Sequence, residues 1–512
     1  MEHIELTGQS LTPEQVVLLA RGEARAQIAP RALTRAAAAA AAAERIAARR
    51  PVYGRTTGVG ANRTQRVADG DLEHGVRLLR SHAGGIGRPI EAEATRAMLA
   101  VRANQLLAGG AGLRAQIIEA IVQALDAGAL PEIREYGGLG TADLTALAEL
   151  GLTLIGEAPW RADTDPTAAR STDRQPAAPA AVTITSGDAL ALMSSSALTI
   201  GRSCLAWHEA SRWISSAHAV AALSVFALDG STEPFDEAVH QRRPHPGLMR
   251  SARIVRALLA GQSVKAARIQ DPFALRCIPQ VHGAALEALE STERVLRVEV
   301  NVASENPLFV TGPEGGAEAG GEADEAVFHH GGFHQALLTQ SLDALNLALL
   351  STGQLSLARL DLMFHPEFTG LRPFLADGEP ASSGVMILEN AAHDALSELR
   401  NAAMPAGLGH ATLSRGVEDH SPFTSQSARQ TARAAEALRL ILATELVGAL
   451  RTLRLRGLKP SPGTPLAQLY AIVELLDART ADRSTTPDVL QAVALLPSLA
   501  AAVPSDPPGQ MA

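Results

Sequence analysis

The sequence predicts a mainly α protein, an elongated multi-helix bundle with a smaller N-terminal part. Three observations predict it. Ala, Leu and Arg are abundant in a chain that is 46% hydrophobic but only 3% aromatic, and these residues favour helix, whereas strands want β-branched and aromatic side chains. Long amphipathic stretches fall at about 186–228, 335–362, 384–402 and 421–457, the lengths of bundle helices. With 512 residues, the chain is long enough for two or three packed subregions.

The first helical stretch runs from Leu11 to about Ala42. Thr12-Pro13-Glu14-Gln15 has the form of a helix start: Thr as cap, Pro in the first turn, Gln three residues on. The alanine run at 36–43 suits the same helix. Residues 51–62 are Gly-rich and form a loop. Several helices follow from Asp71 to Leu130, broken at Gly84-Gly85 and Gly109-Gly110. Residues 157–184 have no apolar period and read as an exposed excursion. Residues 312–326 read as a mobile acidic loop, and the tail after Pro504 as disordered. The domain division is 1–185 (N-terminal helical), 186–460 (central long helices) and 461–512 (C-terminal helices and tail).

Net charge is −9, with no basic block, which argues against a nucleic-acid partner. Cys204 and Cys277 form neither a metal spacing nor a disulfide framework, as suits a reducing cytosol. The N-terminus lacks the pattern of a signal peptide. The longest apolar segments contain Arg202, Glu445 and Arg451, so they read as buried helices rather than membrane spans. The expected location is the cytoplasm.

Several separate motifs carry the chemistry. Val52-Tyr53-Gly54-Arg55-Thr56-Thr57-Gly58 sets a tyrosine in a loop of Thr and Gly. Leu79-Arg80-Ser81-His82-Ala83-Gly84-Gly85 and Arg102-Ala103-Asn104 follow, then Gly137-Gly138-Leu139-Gly140-Thr141-Ala142-Asp143-Leu144. Further on come Gln270-Asp271-Pro272-Phe273-Ala274-Leu275-Arg276-Cys277, Asn301-Val302-Ala303-Ser304-Glu305-Asn306-Pro307-Leu308, Gly331-Gly332-Phe333-His334 and Glu418-Asp419-His420. In this order they resemble the histidine and aromatic amino-acid ammonia-lyases and aminomutases, from Leu6 to roughly Arg456. The resemblance implies that family's helical bundle and a homotetramer with active sites shared between subunits. It also implies a small-molecule substrate bearing a carboxylate.

In that family an Ala-Ser-Gly triplet before Asp-Leu cyclises and loses two waters, giving the methylidene-imidazolone electrophile. Here the triplet is Gly140-Thr141-Ala142. Dehydration of Thr141 would leave a methyl crowding the carbon that substrate must reach, and Ala142 restricts the backbone that Gly leaves free. The plain alternative is a helix-start turn with Thr141 as cap and Asp143 in the first turn. Neighbours have changed too: Ser194 stands where the family has Asn, Phe273 where it has Tyr, and His330 and Gly332 replace Gly and Asn. Thr185-Ser186-Gly187-Asp188 copies the triplet on paper, but Ser186 is expected to cap the helix that starts there. The cofactor is therefore expected to be absent.

By the same resemblance Tyr53 and Glu418 are the catalytic candidates. Arg276, His82, Ser194, Phe273, Gln270 and Phe333 are the substrate-binding candidates. A tyrosine on a flexible loop can move a proton, though with an ordinary pKa near 10 it needs help to be a base. Arg276 offers a planar fork for a carboxylate. His329, His330 and His334 form a cluster in which no metal is expected, since Gly331-Gly332 disrupts helical spacing. The expected function is a lyase-like enzyme without the cofactor, catalysing Tyr-mediated elimination, addition, isomerisation or cyclisation. The alternatives are a true ammonia-lyase or aminomutase with an atypical cofactor, and a non-catalytic partner subunit.

Overall fold

The protein is described by a computed structural model covering residues 1–162, 177–263, 266–311 and 325–504. Half of the expected excursion (163–176), most of the acidic loop (312–324) and the tail beyond Pro504 lie outside the described residues. The described residues are mainly helical, with four two-stranded sheets. They fall into two compact units. One comprises 1–208, 293–340 and 406–429; the other comprises 209–292, 341–405 and 430–512.

The first unit opens with a parallel pair, Glu2–Leu6 against Ala24–Ile28, in which Glu2 faces Ala24 and Leu6 faces Ile28. The connecting helix is Pro13–Ala20, where Thr12 and Gln15 close a full capping box. The single helix expected from Leu11 to Ala42 is thus divided: the chain turns at Gly22 (φ 69°), passes through the strand and restarts as Pro30–Arg49. The alternating exposure of Ala-Arg-Ala-Gln-Ile marks the strand, and its two alanines concealed it from a propensity count. Helix Ala92–Leu107 is buried on nearly every side, as a helix at the centre of a unit must be. Asn104 ties this helix to distant loops: Gly8 N donates to its Oδ1 at 2.9 Å, and its Nδ2 donates to Val300 O at 2.8 Å.

The stretch expected as one helix at 186–228 is two, Ser186–Met193 and Ala197–Ala227, with Ser194, Ser195 and Ser196 between them. Thr185, not Ser186, is the cap; it and Asp188 form the capping box. The other long helices are Ile278–Glu299, Ala336–Phe364, Ile387–Ala402 and Thr424–Leu455. Within Ser186–Ala227 an 18-residue window is apolar enough to cross a membrane, but 89% of that window is buried within the protein.

In the second unit, the fully buried Arg359 and Glu445 pair at 2.6 Å, and Ser224 donates to the same carboxylate at 2.6 Å. The buried His218 is bonded to Ile214 O at 2.8 Å and Ser251 Oγ at 2.9 Å; burial pushes its pKa down to about 4.

Candidate functional site

The tyrosine loop is built by short-range bonds. Val52 N donates to Thr56 Oγ1 at 2.8 Å and Gly54 N to Thr57 Oγ1 at 3.3 Å, so the threonines flanking Tyr53 are structural. Gly54 has φ 70°, and a Cβ there would sit 2.0 Å from Leu190 Cδ2, so only glycine lets the loop lie on the helix beneath. The Tyr53 hydroxyl accepts from Gly60 N at 2.8 Å. Ala61 N donates to Ser414 Oγ at 3.1 Å, which joins this loop to the turn carrying Glu418. Glu418 is held there by a bridge to Leu413. Burial first, and then the Glu418 charge, hold the Tyr53 phenol above its ordinary pKa; Gly60 N–H and Arg63 pull the other way without winning. Tyr53 and Glu418 are thus brought together, and the phenol keeps its proton at neutral pH.

The triplet is walled in. Gly140 has φ 90°, its carbonyl accepts from Gln335 N at 3.1 Å, and Phe423 N donates to Leu139 O at 2.7 Å. Thr424 Oγ1 donates to Gln335 O at 3.1 Å and lies 2.6 Å from Thr339 Oγ1. Helix Leu144–Leu154 follows, but Thr141 does not cap it. Asp143 is the N-cap and makes no capping bond, which corrects the helix-start expectation. The Asp143 carboxylate instead accepts from Thr199 N at 2.7 Å and Thr199 Oγ1 at 2.9 Å, and Asp143 N donates to Ser195 O at 2.8 Å. Burial pushes this carboxyl up, and the Thr199 bonds pull it partly back.

The backbone at position 140 has no room for the alanine with which the family's Ala-Ser-Gly triplet begins. A Cβ at position 140 would lie 2.4 Å from Thr424 Oγ1 and 2.8 Å from Thr424 N. Ala142 keeps the glycine-type backbone at φ 123° while carrying a side chain. Ala142→Gly is therefore expected to raise stability by about 1 kcal/mol, read as a higher midpoint in urea.

Beside the tyrosine loop lies a small open pocket with Tyr53, Ser194, Glu305 and Asn306 among its walls. Ser194 Oγ accepts from Asn306 N at 3.0 Å. Glu305 is buried and pairs through Oε1 with the fully buried Arg102 at 2.7 Å. Arg102 also donates to Leu192 O at 3.0 Å and to Ala191 O. Glu305 Oε2 has no hydrogen-bond partner. Arg102 and Glu305 both stand inside the ordered motifs, and neither motif by itself gives them a role. Two charges set in apolar helix and loop stretches were the available signal, since buried charges come in pairs.

The remaining candidates are dispersed. His82 ends helix His74–His82, with Nδ1 2.9 Å from Leu78 O and 3.0 Å from Ser81 Oγ. Phe333 is half-buried in the turn after His330. The three histidines do not converge: His329 Nε2 accepts from Tyr53 N at 3.3 Å, His330 Nε2 lies 2.8 Å from Glu305 O, and His334 Nε2 lies 3.0 Å from His420 Nδ1. Among the described residues no group of three or more His, Cys, Asp or Glu side chains could hold a metal ion. Gln270, Phe273 and Arg276 belong to the second unit. There the Arg276 guanidinium stacks on Phe273 at 4.6 Å, and with its amide oxygen turned inward Gln270 accepts from Nη2 at 2.6 Å. Arg276 Nε is buried without a partner, and Phe273 is 66% exposed.

A long-helix fold with a tyrosine loop and the Gln270–Cys277 arginine segment defines a class of amino-acid-processing lyases. Residues 11–474 match the family described as aromatic amino acid lyase, and the chain belongs to it. It is 34% identical to a histidine ammonia-lyase of Symbiobacterium thermophilum over 498 residues, covering 96% of this chain and 95% of the relative. The structure of a histidine ammonia-lyase from Trypanosoma cruzi matches with a TM-score of 0.84 at 28% identity, covering 98% and 96% of the two chains. A tyrosine aminomutase from Streptomyces globisporus matches with a TM-score of 0.86 at 26% identity and 98% coverage of each.

Proposed function

We propose that this family member acts on an amino-acid-like or carboxylate substrate without the methylidene-imidazolone. The observation that carries this is the backbone at Gly140, whose φ of 90° and contact with Thr424 leave no room for the family's alanine. Tyr53 moves the proton in an elimination, addition, isomerisation or cyclisation, and the Glu418 charge adds to burial in keeping the phenol protonated. Arg276, with Gln270 and Phe273, holds the carboxylate; His82, Ser194 and Phe333 contact the rest of the substrate. The working form is a homotetramer in the cytoplasm, to which the exposed Phe273 and Ile269 side chains contribute interface.

Intact mass is the test. A chain at its encoded mass supports the proposal, whereas a chain lighter by two waters overturns it. The names of the curated relatives favour a second reading, in which a ring formed from Gly140-Thr141-Ala142 deaminates an amino acid; the lighter mass would establish that one.

Tyr53→Phe is expected to lower kcat by roughly 10²–10⁴, measured on any substrate the wild type turns over. Because the phenol pKa is raised, a step that needs phenolate gains rate steadily as pH rises. kcat/KM is expected to climb about tenfold per pH unit between about 7 and 9, with no plateau. A flat profile there would remove Tyr53 as the base.

A further inference from the structure

We propose that Glu305 is a further substrate-binding residue, whose free oxygen takes the ammonium N–H of an amino-acid-like substrate. This rests on the reading above, in which no electrophile captures the amine. The starting point is an orphan acceptor: Glu305 is 1% exposed, lines the cavity beside the tyrosine loop, and has no partner at Oε2. A buried carboxylate oxygen without a donor is costly, so the site is completed by whatever N–H or O–H group enters. The pocket has room for about one water, which is also the size of an ammonium head.

The surroundings favour a cation over an anion. Leu190, Ala191 and Ser194, at the C-terminal end of helix Ser186–Met193, form part of the wall, and that end of a helix carries partial negative charge. Arg102 is committed to Glu305 Oε1 and to the carbonyls of Ala191 and Leu192. Arg55, also in the wall, is engaged by Glu44 at 2.8 Å and by Gly112 O at 2.7 Å. Arg55 is therefore neutralised by Glu44 and Arg102 by the Glu305 carboxylate itself, which leaves Oε2 as an unused acceptor within an already paired carboxylate. Ser194 stands where the family's Asn would be, and its hydroxyl oxygen already accepts from Asn306 N, so its own proton is available to a ligand atom. Tyr53 shares the same walls, which sets an amine held at Oε2 beside the proton-transferring residue.

The test uses the full-length protein and calorimetric titration with a panel of L-amino acids, each paired with its desamino carboxylic acid. On the wild type, at least one amino acid is expected to bind roughly tenfold or more tighter than its partner, the worth of a hydrogen bond to a charged group. Glu305→Gln keeps an oxygen for Arg102 but turns an NH₂ toward the cavity. It is expected to abolish that preference while leaving affinity for the desamino acid within about twofold. If Glu305→Gln does not fold, Glu305→Asp withdraws the carboxylate by one methylene and is expected to shrink the same preference. Equal affinity within every pair on the wild type would assign the space to a water only and overturn the proposal. So would a preference that survives in the variant. Intact mass on the same samples keeps the two proposals separable, because a ring at 141 defeats the cofactor-free reading whatever Glu305 binds.

Discussion

Arg359→Met is expected to destabilise the protein by about 3–5 kcal/mol, seen as a lower urea midpoint. Arg359 and Glu445 are both fully buried, and the guanidinium meets the carboxylate through Nε at 2.6 Å and Nη2 at 2.9 Å. Ser224 and Ser356 also donate to the carboxylate, and Arg359 Nη1 reaches Ala274 O at 3.4 Å. Methionine fills similar volume but leaves Glu445 buried with two hydroxyls and no cation. The penalty comes from that stranded charge rather than from the loss of the pair's own net stabilisation, which desolvation largely cancels. Arg359→Met combined with Glu445→Leu is therefore expected to recover most of the loss. A double variant as unstable as the single one would show that packing, not charge, sets the cost.

Gly140→Ala is expected to cost roughly 2–4 kcal/mol. Two terms add. A side chain at φ 90° is strained, and the new Cβ would press on Thr424 Oγ1 at 2.4 Å, Thr424 N at 2.8 Å and Pro422 Cγ at 2.9 Å. Two of these neighbours cannot swing away: one is backbone, and Thr424 Oγ1 is engaged by Gln335 O and Thr339. Restoring the family's first triplet residue should thus damage the fold here. Unchanged thermal stability of Gly140→Ala would remove the main support for a cofactor-free site.

Local signals were legible where the physics is local. The Thr12 and Gln15 capping box was readable because both partners sit within four residues. The ends of helices at His82 and Leu107 followed from the glycines beyond them. The strand Ala24–Ile28 was missed because its residues favour helix in isolation, and pairing with Glu2–Leu6 overrides that preference. Asp143 was expected in a helix's first turn behind Thr141 as cap, and it stands at the N-cap position itself. Its carboxylate serves Thr199 instead, 56 residues away, and such a partner has no signature in a short window.

The candidate site divides the same way. Tyr53, Glu418 and the altered triplet could be named from ordered motifs, since each motif is a contiguous run of residue types. Helix content, too, follows from propensity and periodicity, which act over one or two turns. The pairing of Arg102 with Glu305 joins residues 203 apart, and the unmet Oε2 exists only once folding has desolvated that carboxylate and committed its other oxygen. The raised Tyr53 pKa and the closed wall around Gly140 belong to the same group. Burial and steric exclusion depend on which remote segments meet, and no stretch of chain carries that information alone.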